Sequence, residues 1–306
     1  MILVFMVSFY LPGCANIWSY RGPETSDSID DIRRNIDFLT DKESGLDYAN
    51  FVRLAVHSIN ICDESEMKKH VDTYVTEAVN YARAKGLYIL IEPHYFPGDD
   101  NQYVPCDDGQ TENYLKNPLW SEKIKTFWKY TAPKFKNEPH VIYGVTNEPV
   151  RPENCQDIHT FMQELVDYIR PMAPERLLSV QSYTWTNNAD CWADPQYQIR
   201  DENILYEAHV YPWNPDNKAG NPDIWTKRIG YAADSVPILI GEFGYENSDN
   251  PVVWRQNFKQ WIEGYPNMSW AAWCLDCGSS MEIIECDWQI TDWGGFLRDW
   301  LRDAAK

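Results

Sequence analysis

The stretch YILIE, residues 88–92, is apolar or aromatic at every position except the last, and polar and apolar side chains do not alternate in it. PILIG, residues 237–241, has the same character. Strands that are buried on both faces have such compositions, and all-parallel sheets bury both faces because helices cover them. The two stretches therefore predict inner strands of a parallel sheet.

Similar apolar runs alternate with longer amphipathic ones along the rest of the chain. The predicted strands are 2–10, 51–57, 87–95, 141–147, 177–182, 204–211, 237–243 and 269–275. The predicted helices are 28–40, 67–85, 118–136, 157–170, 225–234, 251–264 and 293–304, with no clear helix after the fifth strand. Eight strands that alternate with helices favour an α/β fold of the (β/α)8 TIM-barrel type, although the pattern also allows a doubly wound open sheet. Because no linker or low-complexity tract interrupts the 306 residues, we expect one catalytic domain, 1–306.

The chain is strongly acidic, with 46 acidic and 27 basic residues and a net charge of −19. Such a surface repels nucleic acid and anionic membranes but tolerates neutral ligands. No stretch has the ~18 uninterrupted apolar residues of a membrane span. The first residues, MILVFMVSFYLPGC, could be a signal peptide, but no basic residue precedes the apolar run, so we favour a buried strand there. We expect a monomer with neither a nucleic-acid nor a membrane partner.

Polar side chains collect where the predicted strands end. VIYGVTNEPV, residues 141–150, finishes on an amide and a carboxylate, Asn147 and Glu148. Other predicted strands carry Arg53, Glu92, His94, His209, Tyr211, Glu242 and Trp273. Catalytic residues of barrels lie at the C-terminal ends of strands, and a fold tolerates buried carboxylates mostly where they have a task. By alternation Glu92 and His57 also face inward, and we favour a structural role for each.

This ordered set resembles the active site of glycoside hydrolase family 5. The matching pieces are Arg53 in FVRLAV, His94 in LIEPHY, Asn147 and Glu148 in VTNEP, His209 and Tyr211 in EAHVYP, Glu242 in IGEFG and Trp273 in WAAWCLD. Every residue of the family's usual set has a counterpart in the expected strand order. The resemblance implies a retaining (β/α)8 glycosidase.

It also implies a role for each matching residue. Glu148 would be the general acid/base and Glu242 the nucleophile, kept ionised by Arg53 and the Tyr211 hydroxyl. Asn147 would bind the 2-hydroxyl of the sugar under attack.

The histidines and tryptophans would bind and orient the substrate. His94 and His209 would orient sugar hydroxyls and the acid/base, and Trp273 would form the floor of the subsite where the bond breaks. Trp213 is the first choice for a further sugar subsite. The other candidates are Trp18, Trp185, Trp192 and Trp288, whereas packing is expected for Trp120, Trp128, Trp225, Trp254, Trp261, Trp270, Trp293 and Trp300.

The expected activity is endo-β-1,4-glucanase (cellulase) action on a β-linked polysaccharide or oligosaccharide, by double displacement through a covalent glycosyl-enzyme. A β-mannanase or another β-glycanase of the same family is the alternative, because the sequence does not show which residue contacts the hydroxyl that distinguishes mannose from glucose. A non-catalytic glycan-binding barrel is the alternative from a different class. It is disfavoured because both glutamates, Arg53 and Tyr211 are present. We expect no cofactor and no metal.

The eight cysteines predict disulfides that hold loops on the catalytic face of the barrel. Cys106–Cys155 and Cys277–Cys286 are candidate pairs, although spacing does not determine connectivity. Disulfides would indicate an extracellular location. Two metal sites are weaker alternatives: zinc at Cys274 and Cys277, and calcium in the Asp-rich loop 96–114, which we interpret as solvated.

Overall fold

The computed structural model describes residues 14–18, 29–43, 46, 48–57, 63–94, 118–149, 154–212, 217–246, 248–275 and 281–304. Eight parallel strands close into a barrel in the order of the sequence. They are β1 (Cys14–Trp18), β2 (Phe51–His57), β3 (Tyr88–His94), β4 (Val141–Gly144), β5 (Leu178–Gln181), β6 (Ile204–Val210), β7 (Ile238–Phe243) and β8 (Met268–Ala272). Pairing of β1 with β8 closes the ring, so the (β/α)8 prediction is confirmed and the open sheet is excluded.

The first strand differs from the prediction. β1 is formed by CANIW, where Asn16 pairs with Arg53 of β2 and Cys14 with Ala271 of β8. Residues 2–10 lie outside the described part of the chain, and their assignment as the first barrel strand is wrong. The error arose because 2–10 is a longer apolar run than the short, mixed stretch that pairs with both neighbours.

The helices follow the predicted pattern. They are α1 (Ile29–Thr40), α2 (Glu64–His70), α3 (Thr76–Lys85), α4 (Pro118–Phe135), α5 (Cys155–Ile169), α6 (Pro222–Trp225), α7 (Tyr231–Ala233), α8 (Pro251–Glu263) and α9 (Asp292–Ala304). π-helical turns at Val71–Val75 and Thr226–Gly230 join α2 to α3 and α6 to α7, so each pair occupies one predicted helix. The β5–β6 connection, described throughout, contains only a 3-10 turn, Asp190–Ala193.

Local chemistry sets the helix ends. Gly86 follows α3 in the left-handed region, with φ at 75°, and its N–H bonds back to the carbonyls of Ala82 and Arg83. α5 begins after Asn154, whose side chain accepts a hydrogen bond from the Asp157 N–H. These caps determine the residues at which α3 ends and α5 begins, and therefore where the adjoining loops begin and end. Among the described helices, none combines the length and apolar character needed to cross a membrane.

Tryptophans fill the layer between the barrel and its helices. Trp270 of β8 stacks on Trp300 of α9 with ring centroids 4.2 Å apart. The tryptophans expected to pack are buried, namely Trp128, Trp225, Trp254, Trp261, Trp270, Trp293 and Trp300. Trp192 is also fully buried against Tyr206, so its candidacy as a sugar platform is wrong. The side chain of Trp120 lies outside the described part.

One disulfide joins Cys155, the first residue of α5, to Cys191 in the 3-10 turn between β5 and β6. The predicted Cys106–Cys155 pair is therefore wrong. The β5–β6 connection folds back to the start of α5, which the spacing of cysteines does not reveal. Cys286 is also in a disulfide, and its predicted partner Cys277 lies outside the described residues. Cys274 is a buried thiol.

Candidate active site

The guanidinium of Arg53, on β2, lies at the centre of a buried polar cluster. Nη1 donates to Glu242 Oε1 at 2.7 Å, and Nη2 donates to Glu92 Oε2 at 2.5 Å and to Asn147 Oδ1 at 2.9 Å. Nε lies 3.1 Å from Glu207 Oε1. These partners come from β3, β6, β7 and the residues after β4, so one cation orients side chains from across the barrel.

The charge of Arg53 is maintained by this cluster. Burial acts to lower the pKa of Arg53, but the negative charges of Glu92, Glu242 and Glu207 raise it above its ordinary value. The single positive charge of Arg53 balances only part of the negative charge of Glu92, Glu207 and Glu242. The electrostatic environment therefore has to be considered separately for each carboxyl group.

Glu242, at the end of β7, has a donor on each carboxylate oxygen. Arg53 contacts Oε1, and the Tyr211 hydroxyl donates to Oε2 at 2.7 Å. Burial and then the charge of Glu242 raise the pKa of Tyr211 well above its ordinary value, so the phenol stays a donor. Two donors, one on each oxygen, fix the orientation of this carboxylate, as a nucleophile requires.

Glu148 occupies a different environment. Its backbone has φ at 41°, in the left-handed region, and its N–H donates to Gln181 Oε1 at 2.5 Å. Burial raises the pKa of Glu148, and the charge of Glu242 adds to this effect. A carboxyl that retains its proton suits a general acid. Strained backbone at a residue held by a buried amide is a common feature of functional sites.

The two glutamates lie close together. Carboxylate oxygens of Glu148 and Glu242, together with a ring nitrogen of His209, are all within 4.8 Å of one another. Retaining glycosidases hold their two carboxyl groups ~5–5.5 Å apart, so that one can attack the anomeric carbon directly. An oxygen of each glutamate within 4.8 Å of the other fits this retaining geometry.

His94 is held on both ring nitrogens. Nδ1 lies 2.7 Å from Glu92 Oε1, and Nε2 lies 3.3 Å from the Asn147 amide nitrogen. Since Asn147 Oδ1 accepts from Arg53, its amide nitrogen faces the ring as a donor. Nε2 of His94 therefore accepts, and Nδ1 carries the hydrogen. Trp273 stacks on this ring at 5.8 Å with an interplanar angle of 22°.

His209 lies between two carboxylates. Nδ1 is 2.7 Å from Glu148 Oε1, and Nε2 is 3.1 Å from Glu207 Oε1. Burial acts to lower the pKa of His209, but the charges of Glu242, Glu148 and Glu207 outweigh it and raise the pKa to about 10. The ring is thus able to hold a proton next to the proposed general acid.

The structure brings together the whole predicted set of strand-end residues apart from Trp213, which lies outside the described residues. It also adds residues to the site. Glu92, expected to be structural, contacts Arg53, His94 and Gln181. Glu207 was not predicted, although it stands two residues before His209 just as Glu92 stands before His94, and alternation puts both members of each pair on one face.

Gln181 was missed as well. Its Oε1 accepts from the Glu148 N–H and from Thr186 Oγ1, and its Nε2 donates to Glu92 at 3.1 Å. It thereby links the backbone of Glu148 to the Arg53 cluster. A single amide at the end of a short strand carries no sequence signal that separates it from an ordinary loop residue.

Two glycines make room for the added carboxylates. A Cβ on Gly144 of β4 would lie 2.7 Å from the Cβ of Glu92, and one on Gly241 of β7 would collide with Glu207 Oε1. Both positions require a residue without a side chain. The neighbouring strands therefore depend on glycine to accommodate the two buried acids.

The remaining candidate tryptophans lie in different surroundings. Trp185 follows β5 in a left-handed turn, where Thr184, Trp185 and Thr186 have φ of 56°, 51° and 58°, and it is half-buried. Trp288 has the Arg34 guanidinium 3.9 Å from its ring centroid, so it packs on α1. The side chains of Trp18 and His57 lie outside the described part of the structure.

Within the described ranges, two overlapping sets of side chains could approach a metal ion: Glu92, His94 and Glu242, and Glu148, His209 and Glu242. Arg53 already donates to Glu92 and Glu242, and Tyr211 donates to Glu242. A metal ion would compete with that guanidinium for the same oxygens. The donor set therefore fits proton and glycosyl transfer better than metal binding.

Comparison with known proteins agrees with this geometry. The family model "Cellulase (glycosyl hydrolase family 5)" matches residues 40–279. Endoglucanase N of Pectobacterium atrosepticum is 28% identical over 248 residues, covering 76% of this chain and 50% of that protein. Cellulase CelDZ1 of a Thermoanaerobacterium species is 25% identical over 245 residues, covering 74% and 57%. The chain thus spans about half the length of the curated relatives it matches.

Solved structures show the same fold. β-Glucanase SdGluc5_26A of Saccharophagus degradans superimposes with a TM-score of 0.73 at 23% identity, covering 97% of this chain and 89% of that one. The catalytic domain of endoglucanase Cel5A from Thermobifida fusca has a TM-score of 0.68 at 20% identity, covering 90% and 86%. Because the family model extends over most of the chain and includes every matching strand-end residue, the chain belongs to glycosyl hydrolase family 5.

Proposed function

We propose that the chain is a retaining endo-β-1,4-glucanase that hydrolyses β-1,4-linked glucan. The observation that carries the proposal is the pair Glu148 and Glu242. Their carboxylate oxygens lie within 4.8 Å, but one carboxyl is held by Arg53 and Tyr211 and the other by His209. Two close acids in opposite environments are what double displacement needs.

In the first step, Glu242 attacks the anomeric carbon while Glu148 gives its proton to the departing glycosidic oxygen. The product is a covalent glycosyl-enzyme and a shortened chain. In the second step, Glu148 removes a proton from water, which displaces Glu242 and releases a sugar of retained configuration. Asn147, fixed by Arg53, supports the hydrogen bond to the 2-hydroxyl, and Trp273, stacked on His94, supports the sugar ring.

Support for glucan as the substrate comes from the relatives. Those at 25–28% identity are named endoglucanases or cellulases, and SdGluc5_26A is also known in complex with cellotetraose. The acidic chain, with a net charge of −19, suits a neutral polysaccharide. The Cys155–Cys191 disulfide supports secretion into an oxidising medium, where we propose that the protein acts as a single-domain monomer.

The test is release of reducing ends from soluble β-1,4-glucan and from β-mannan, with the wild type and Glu242→Gln side by side. We expect cleavage of glucan that is lost in the variant. Cleavage of mannan alone would keep the mechanism and change the substrate. Equal activity in the variant would remove Glu242 from its proposed role. Binding of glucan without any cleavage by the wild type would indicate a glycan-binding barrel instead.

A further inference from the structure

The carboxylate of Glu207, on β6, lies behind the site and is fully buried. Its Oε1 is 3.1 Å from His209 Nε2 and 3.1 Å from Arg53 Nε, and its Oε2 accepts from the Ser179 hydroxyl at 2.7 Å. Gly241 leaves the space that this carboxylate occupies. Burying an acid is costly unless partners compensate, and here His209, the Ser179 hydroxyl and the charge of Arg53 converge on one group that is set back behind Glu148 and Glu242.

Glu207 is held in its ionised form. Burial acts to raise the pKa of Glu207, but Arg53, His209 and Ser179 outweigh it and lower the pKa below its ordinary value. An ionised carboxylate only accepts hydrogen bonds. The Nε2 atom of His209 must therefore carry a hydrogen, and this requirement fixes the tautomer of a neutral ring.

The other nitrogen of the ring faces the proposed general acid. Nδ1 is 2.7 Å from Glu148 Oε1. With Nε2 already protonated, one further proton lies between Nδ1 and Oε1, either on the carboxyl or on the ring. If the hydrogen of a neutral ring lay on Nδ1 instead, Nδ1 would have no lone pair for the Glu148 proton. The tautomer thus decides whether Nδ1 can share the proton that the reaction moves.

We propose that Glu207 is a positioning residue for acid/base catalysis: it fixes the Nε2–H form of His209, so that Nδ1 shares with Glu148 the proton that Glu148 gives to the leaving oxygen and recovers from water. The inference rests on the proposed function for its catalytic consequence, but not for the tautomer itself. The proton count balances, since one proton leaves the pair in the first step and one returns in the second.

Several charged or titratable groups in the described part of the chain act on His209. Glu148 follows β4, Glu207 lies on β6, and Glu242 of β7 has Oε2 3.7 Å from Nδ1. Arg53 of β2 contacts both Glu207 and Glu242, Tyr211 donates to Glu242, and the charge of Glu92 on β3 also acts on the ring. Only Glu207 contacts Nε2 among these groups, so its removal acts on the tautomer directly.

The first measurement is the ¹⁵N spectrum of histidine-labelled wild-type protein without substrate, with His209 assigned by its loss in His209→Gln. We expect hydrogen on Nε2 throughout the range pH 6–9, and a proton held by the ring and Glu148 together. A ring with hydrogen on Nδ1 and a bare Nε2 would overturn the proposal. Because this measurement uses the wild type, it tests the proposed tautomer of His209 even if substitution of Glu207 prevents folding.

The second measurement is the pH dependence of kcat/KM on β-1,4-glucan for the wild type and Glu207→Gln. The amide can place its oxygen toward His209 and Arg53 and its NH₂ toward Ser179 Oγ, so the contacts survive and only the charge is lost. We expect the alkaline limb to move about one pH unit or more toward acid, because the pair holds its proton less tightly. The His209 titration should move by the same amount.

Glu92→Gln is the matched control. Glu92 is equally buried, also contacts Arg53 and also pairs with a histidine two residues along its strand, and the other ring nitrogen of that histidine faces Asn147. The activity of Glu92→Gln should fall with a smaller movement of the alkaline limb than in Glu207→Gln, because Glu92 acts on His209 only through its charge. A Glu207→Gln profile that is lower at every pH but unshifted would make Glu207 merely structural and overturn the proposal. A wild type that cleaves no β-glycan would instead defeat the proposed function, and the spectrum would still decide the tautomer.

Discussion

The Tyr211 hydroxyl donates a 2.7 Å hydrogen bond to Oε2 of Glu242, on the side of the carboxylate opposite Arg53. This contact joins β6 to β7 at the ends of the two strands. The tyrosine therefore helps to fix the orientation of the proposed nucleophile.

Tyr211→Phe should lower kcat/KM on β-1,4-glucan by about 10- to 100-fold, since a hydrogen bond to a charged group is worth ~1.5–3 kcal/mol. Steady-state kinetics would measure the loss. Tyr143→Phe is the matched control, because that hydroxyl is also buried and bonded, to the Ala132 carbonyl at 2.8 Å, but lies outside the site. It should lose stability and keep its activity. Equal activity in both variants would contradict the role of Tyr211.

Glu148→Ala should slow hydrolysis of glucan by about 100- to 10,000-fold, the usual worth of a general acid/base. An aryl cellobioside with a dinitrophenyl leaving group needs no acid for its first step, and azide needs no base for the second. Azide should therefore restore turnover and yield a β-glycosyl azide, identified by NMR. Glu242→Ala is the comparison: there azide would replace the nucleophile and give the α-anomer. The reverse pattern would exchange the roles of the two glutamates.

Arg53→Met should reduce the free energy of unfolding by about 3–5 kcal/mol, because it leaves several buried carboxylates without their cation. Urea unfolding followed by circular dichroism would measure the change. Arg33→Met removes an ion pair with Glu77 in which the arginine side chain is 48% exposed, and its effect should be far smaller. Similar losses in the two variants would show that the buried cluster contributes no more to stability than a surface pair.

Removal of the Cys155–Cys191 disulfide should cost about 3–4 kcal/mol of stability, given the 36-residue separation that it closes and the usual dependence on loop length. Either single alanine variant should lose as much as the double variant, since both break the same cross-link. Urea unfolding of all three would test this. A loss below about 1 kcal/mol would mean that the α5 end and the β5–β6 connection are held together by their packing alone.

Stability should fall as the pH rises above neutrality. The pKa of His209 is raised to about 10 in the fold, against an ordinary value of 6.5. Its stabilising contribution is therefore complete below about pH 6.5 and is lost as the pH rises toward 10. Between pH 7 and 9 this one group can contribute a slope of up to about 1.4 kcal/mol per pH unit. Urea unfolding of His209→Gln should show a flatter dependence, and an unchanged slope would assign it to other groups.

The sequence predicted the barrel because its inner strands are buried on both faces and differ plainly from amphipathic helices. This composition did not identify β1, because CANIW is short and contains both polar and apolar residues. It is a barrel strand because it pairs with β2 and β8. The polar residues at the ends of the predicted strands also identified Glu148, Glu242 and their partners as candidate site residues. Their roles remain predictions until the variants above are measured.

What the sequence did not reveal depends on contacts between distant segments. The alternation of side chains along β6 could have placed Glu207 on the same face as His209. The contacts of Glu207 with Arg53 and Ser179, however, join different strands and are not visible in the sequence. Gln181 bonds to the backbone of Glu148 across neighbouring strands. The pairing of Cys155 with Cys191 depends on how the β5–β6 connection folds back, and no local pattern records that path.

The collision between Glu207 and any side chain at position 241 has a consequence for directed evolution of this barrel. Substitution of Gly241 alone should be selected against, as the added carbon displaces the buried acid, and even alanine there requires a smaller residue at 207. Libraries that randomise the two positions separately would sample mostly non-functional clones. Randomising 207 and 241 together would give access to compatible pairs, and in natural sequences the two positions should change in concert.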